Sequence, residues 1–268
     1  MERALVTLTP SEAKRLIGRA VAAMEPVRYA LKNGTVVICL GTTNAFVAEE
    51  VMGAEIKEKG KFAIGIITSR GTCITNPSSR LKELVIREGK LTELSMKDVL
   101  NDLGPNDVFI KGANAIDPFG NAGVFLGSQT GGTLGMSIGV LLSRGVKIIV
   151  PVSLEKLIPY SIWEIVPRVG NRKFHYAMKM PVGMMPLPGE VVTEVEAFNI
   201  LFGCECYPIG GGGINGGEGG KCYLLEGENL ESAWKEVIKV KGESSVVAEE
   251  EDCKDCNMQC WRFAKIDA

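Results

Sequence analysis

Lys111, Gly112, Asn114 and Asp117 fall within one stretch, DVFIKGANAIDPFGN, where an apolar run gives way to turn-forming residues. In an open parallel sheet, ligands gather at the carboxyl ends of strands. A lysine there can pair with an anionic group, and Asp117 can act as a general base or bind hydroxyls. Ser128, Gln129, Thr130, Gly131 and Gly132 then lead into a helical pattern and offer a second anion pocket. LGTTNAF has the same design: Gly41 follows an apolar run, and Thr42, Thr43 and Asn44 open a helix. Hydroxyls beside the free N–H groups of a helix start suit anions, phosphate especially. Plain capping and turn formation use the same residue types. Neither loop is a Walker A or G-x-G-x-x-G motif, so no nucleotide claim follows.

Two further groups carry chemistry. Glu218 is the only acid in the glycine-rich YPIGGGGINGGEGGKCY, which reads as a lid with exposed N–H groups or as a long hairpin. Cys253, Cys256 and Cys260 are spaced C-x2-C-x3-C, a run that resembles metal ligands for Zn²⁺ or an Fe–S cluster. Cys204, Cys206 or Cys222 could supply a fourth thiolate. Free thiols, or one disulfide pinning the tail, are the alternatives.

The elements that must position these residues follow from hydrophobic periodicity. GTVVICLG, KFAIGIIT, DVFIKGA and VKIIVPVS read as buried strands. TPSEAKRLIGRAVAAM, capped by Thr9 or Ser11, TTNAFVAEEVMGAEI and GTLGMSIGVLLSRG read as helices. The alternation predicts an α/β fold: a Rossmann-like open parallel sheet with helices on both faces, over residues 1–180. Residues 181–242 show a β-α-β-β-α order and predict a small ferredoxin-like α+β domain. Residues 243–268 form an acidic, cysteine-rich tail, expected to be docked.

The 268 residues carry a formal net charge of −2, which argues against a general nucleic-acid binder. No apolar run approaches a membrane span, and no apolar segment follows a basic start, so a cytoplasmic protein is expected.

GTTNAF, followed about 70 residues later by VFIKGANAIDPFGN, resembles the superfamily of ribose-5-phosphate isomerase, glucosamine-6-phosphate deaminase and CoA transferases. It is also similar to the sugar-phosphate-sensing effector domains of bacterial repressors, which carry a Gly-Ala-Asn-x-Ile-Asp stretch. The likeness spans roughly residues 10 to 165. It implies that Gly41, Thr42 and Thr43 lie where the family binds phosphate, and that the chain is a homo-oligomer. The departures are specific. The isomerase has Asp-Gly-Ala-Asp where this chain has Lys111-Gly112-Ala113-Asn114, so both carboxylates are missing. The glutamate motif of CoA transferases is absent, and a single helix before the first strand leaves no helix-turn-helix. The expected ligand is an anionic small molecule, a phosphorylated sugar or a CoA- or nucleotide-like compound. It would be held either by an isomerase or transferase using Asp117, Lys111 and Glu218, or by a non-catalytic sensor.

Overall fold

The computed structural model describes residues 2–254, 256 and 260. From the N-terminus the elements are β1 (Arg3–Leu8), α1 (Pro10–Ala23), α2 (Glu25–Asn33), β2 (Thr35–Ile38), α3 (Thr42–Met52), β3 (Gly65–Thr68), β4 (Gly71–Ile74), β5 (Leu84–Arg87), β6 (Lys90–Leu91), α4 (Met96–Val99) and β7 (Val108–Ile110). There follow β8 (Ala115–Ile116), β9 (Ala122–Leu126), α5 (Gly132–Ser143), β10 (Lys147–Pro151), α6 (Ile162–Ile165), β11 (Gly183–Leu187), β12 (Glu190–Val192), α7 (Glu194–Phe202), β13 (Glu205–Gly212), β14 (Gly220–Glu226) and α8 (Leu230–Val240).

The chain is mixed α/β. Its largest sheet has six strands in the order β12-β10-β7-β2-β5-β6. The first four run parallel; β5 is antiparallel to β2, and β6 is antiparallel to β5. Every side chain of β2 and β7 is buried. Successive side chains point to opposite faces, so the centre of the sheet is covered on both sides. That is why these strands read as continuous apolar runs.

The expected all-parallel sheet is therefore corrected to a mixed one. β5 and β6 are joined through Glu88 (φ 48°) and Gly89 (φ 76°), a two-residue turn with both positions left-handed. Such a turn makes a hairpin, which is antiparallel by construction. KFAIGIIT also departs from expectation. Only Gly65–Thr68 is a strand, and it pairs with β4 in a separate two-stranded ribbon.

Strands within 181–242 form no sheet of their own. β11 pairs with β9, and β12 joins the edge of the six-stranded sheet. β13 and β14 pair with β1 in the order β1-β14-β13, in place of the expected ferredoxin-like unit. The N-terminal strand was hidden because its alternation is short and its Leu5 faces solvent. β11 was hidden because Pro186 reads as a breaker, yet proline is tolerated on an edge strand, and β11 lies at the edge of its sheet.

Charged contacts tie the end of the chain to its beginning. Arg15 on α1 binds Glu49 (2.5 Å), Glu50 (2.9 Å) and Glu243 (2.8 Å), and stacks over the Phe46 ring. Lys241 binds Glu12 at 2.8 Å. Beyond this, Glu250 bridges to Thr75, pairs with Lys179 and accepts from Thr68; the Glu251 N–H donates to the Ile74 carbonyl at 2.9 Å. Residues 249–251 thus run along the end of β4; most of the tail beyond them lies outside the described residues.

Candidate functional site

β2, β7 and β10 are parallel neighbours, so their carboxyl ends share one edge of the sheet. α3 begins just after β2, and α5 begins beyond β9. Between these starts lies a cavity of about 330 Å³. Gly41, Thr42, Thr43, Lys111, Gly112, Asn114, Ser128, Gly131 and Gly132 all line it. The two predicted anion loops therefore form one site.

Both helix starts are open. The α3 N-cap is Gly41 and the α5 N-cap is Gly131, and neither supplies a side-chain cap. No acidic residue occupies either first turn. The first main-chain bonds are made by the Ala45 and Gly135 N–H groups, to Gly41 and Gly131 carbonyls. The preceding N–H groups of each helix are the donors an anion needs. Glycine is required at the α5 start: Gly131 and Gly132 have φ of 77° and 57°, and a Cβ on Gly135 would lie 1.9 Å from the Thr130 carbonyl oxygen. At Gly41 the backbone is extended (φ 173°), and a Cβ there would make only ordinary contacts, the nearest at 3.7 Å.

The cavity wall is cationic. Lys111, Lys156 and Arg80 line it, and none of the lining residues is a carboxylate. Lys156 follows β10 and donates to the Ala113 carbonyl at 2.9 Å. Burial, then the positive charge of Lys14, pulls its pKa down to about 8, with Glu155 opposing. Burial also lowers the pKa of Lys111, whose ammonium donates to the Gly112 carbonyl at 3.4 Å and meets no acid in an ion pair among the described residues. Arg80 donates to the Thr75 hydroxyl at 2.9 Å and to its carbonyl. The Thr43 hydroxyl is buried and has no hydrogen-bond partner among the described residues. Asn114 spends its amide oxygen on the Phe125 N–H (2.9 Å). The rest of the wall is apolar, including Ile64, Ile66, Val124 and Leu134.

A second cavity, about 530 Å³, adjoins the first and shares Thr42, Gly65, Ile66, Asn114 and Lys156 with it. Glu218 lines this one, with Lys14 and Glu155. Its carboxylate accepts the Gly216 N–H at 2.9 Å inside the β13–β14 turn.

Asp117 lines neither cavity. Its carboxylate accepts from the N–H groups of Phe119, Asn121 and Ile162, each at 2.9 Å, and from the Asn121 side chain. Burial alone would raise its pKa, but these hydrogen bonds outweigh burial and hold it below the ordinary value. Asp117, expected as a catalytic group, fastens its loop to α6. Asn44 is also a positioning residue. It is fully buried and donates to the carbonyls of Cys39 (2.7 Å) and Ile110 (3.2 Å), locking α3 onto the ends of β2 and β7. Gln129 and Thr130 lie outside the wall, where Gln129 accepts from Arg172.

Lys156, Arg80 and Cys73 were missed. Lys156 obeys the strand-end rule that singled out Lys111, since it follows VKIIVPVS. Arg80 and Cys73 come from the excursion between α3 and β5, where no local pattern marks them. Of the other cysteines, Cys204 and Cys206 are buried in the main core, and Cys222 on β14 lies 3.2 Å from the Thr7 hydroxyl. No helix among the described residues is long and apolar enough to cross a membrane. No protein-family model matches the chain, and no curated protein matches it.

Proposed function

We propose that the chain binds an anionic small molecule in the cavity at the sheet edge, with a phosphate or comparable group between the starts of α3 and α5. One observation carries this reading: two uncapped helix N-termini and three cations face a space lined by no carboxylate. An anion there meets N–H donors and positive charge without a competing acid. The apolar wall accommodates a carbon skeleton. The volume is at the small end of ligand sites, which suits a phosphorylated sugar; a CoA- or nucleotide-like compound would extend into the adjoining cavity. The resemblance to sugar-phosphate isomerases and sensors points the same way, as does a Rossmann-like reading of the four parallel strands.

The missing family carboxylates and the structural role of Asp117 favour a sensor over an isomerase. A catalytic reading rests instead on Lys156, whose pKa near 8 suits a base at the junction of the two cavities. The test is thermal unfolding against phosphorylated sugars, CoA esters and nucleotides. A ligand at 100 times its Kd adds about 2.7 kcal/mol. A midpoint rise with one class, abolished by Lys111→Met, supports the site; no rise with any class removes it. Turnover of the stabilising compound by wild type, lost in Lys156→Met while binding persists, would select the catalytic reading.

A further inference from the structure

We propose that Lys156 is a nucleophile that forms an imine with an anionic aldehyde or ketone held in the sheet-edge cavity. The inference rests on the anion site there. It gives Lys156 a covalent role in place of a base's, and it narrows the ligand to compounds bearing both an anionic group and a carbonyl.

The placement of one side chain carries the inference. Lys156 lines both cavities, whereas Lys111 lines only the first. It ends a single tight turn, Leu154–Lys156, shortly after β10. That turn is fixed from behind. The buried Glu194 carboxylate accepts from the Ser153 hydroxyl at 2.7 Å and from the Leu154 N–H at 2.9 Å. Just beyond it, the Ile158 N–H donates to the Ile116 carbonyl at 2.9 Å. A reacting group must sit on a rigid support, and these bonds supply one.

The partners of the amine suit the same role. Its nitrogen donates to the Ala113 carbonyl at 2.9 Å, and it pairs with no acid among the described residues. The acid beside it in the chain, Glu155, is held by Lys14 at 2.7 Å. A carboxylate would keep the amine protonated; a main-chain carbonyl orients it with far less charge. Lys14 on α1 and Lys111 after β7 disfavour its proton, and Glu155 and Glu194 favour it. Burial, the largest influence, sides with the lysines. A desolvated lysine or one beside other cations is an amine activated toward carbonyls.

The step balances. The neutral amine adds to the carbonyl carbon, and one N–H proton passes to the oxygen. A proton from solvent then converts that hydroxyl to water, which leaves. The nitrogen keeps a double bond to carbon and one positive charge, in the same cavity as the anion.

The test uses the full-length protein and pyridoxal 5′-phosphate as a phosphate-bearing aldehyde. Borohydride reduces the imine, and mass spectrometry maps the modified lysine. Lys156 should be modified faster than any other lysine, and inorganic phosphate should protect it. Pyridoxal, which lacks the phosphate, should modify it at least about tenfold more slowly, a factor that one hydrogen bond to a charged group supplies. Lys156→Arg keeps a cation but cannot form the imine; it should still bind inorganic phosphate in calorimetry. Binding of inorganic phosphate with Lys156 unmodified, or fast modification of Lys111 instead, overturns the imine and leaves the anion site standing. Modification of Lys156 at equal rates by the two aldehydes, without protection by phosphate, overturns its link to the anion. If phosphate does not bind and Lys156 stays unmodified, both readings fall. The map in wild type decides the matter even if Lys156→Arg does not fold.

Discussion

α1 and α7 end in closed N-termini, whereas α3 and α5 do not. Thr9 and Glu12 exchange hydrogen bonds at the start of α1, as do Thr193 and Glu196 around the start of α7. α2 and α8 lack a side-chain cap but carry Glu25 and Glu231 in their first turns. α3 and α5 have neither device, and both open onto the same cavity. The chain uses capping residues competently where a helix is only structural. Leaving two neighbouring starts open is what the proposed anion site requires, since their donors stay free for a ligand.

The cations divide in the same way. Arg15 is held by three glutamates, whose hydrogen bonds outweigh burial and raise its pKa. Among the described residues Lys111 donates to a main-chain carbonyl and pairs with no acid, and burial lowers its pKa. A cation already matched by acids stabilises the fold; one left without an acid destabilises it slightly and is available to a ligand.

This contrast can be broken by substitution. The largest effect is expected from Arg15→Met, which removes the guanidinium shared by Glu49, Glu50 and Glu243 and leaves Lys59 as the cation on Glu49, only 5% exposed. A loss of about 3 kcal/mol is expected in urea unfolding, with ligand affinity unchanged. Thr9→Ala removes a real cap and should cost about 1 kcal/mol. Thr43→Val removes a buried hydroxyl without a partner. It should change stability by less than about 0.5 kcal/mol, because no hydrogen bond is lost, yet weaken the ligand. Equal destabilisation by the two threonine changes would erase the distinction between capped and open helices.

The smallest effect is a pH dependence. The folded pKa of Lys156 is near 8 against an ordinary 10.5. Between these values the unfolded chain binds more protons, so this group makes stability rise with pH across that window. Anion affinity should fall over the same window as Lys156 discharges. Lys156→Met should flatten both trends, measured by unfolding and by titration calorimetry at pH 7 and 9.5.

The sequence made the parallel strands legible because both-face burial writes itself as unbroken apolar runs. The capping box of Thr9 and the helix beginning at Thr42 were equally plain. Strand direction was not, since periodicity is the same in parallel and antiparallel strands; the left-handed turn at Glu88 and Gly89 fixes β6 against β5, but no local signal sets β5 against β2. Lys111 and Thr43 could be found because they sit at strand and helix ends. Asp117 reads as catalytic because a carboxylate that organises a loop and one that does chemistry look alike until the donors around it are counted. Arg80 arrives from a segment with no periodic signature, so only the folded chain places it.

Titration of the stabilising phosphate-bearing compound into wild type and Lys111→Met, with unfolding of both unliganded proteins alongside, tests the central claim most directly. The account predicts saturable binding that weakens at least about tenfold in the variant, a difference of about 1.4 kcal/mol, while the unliganded variant is as stable as wild type or more so. Equal binding by the two proteins, or a Lys111→Met variant that is markedly destabilised without ligand, would contradict it.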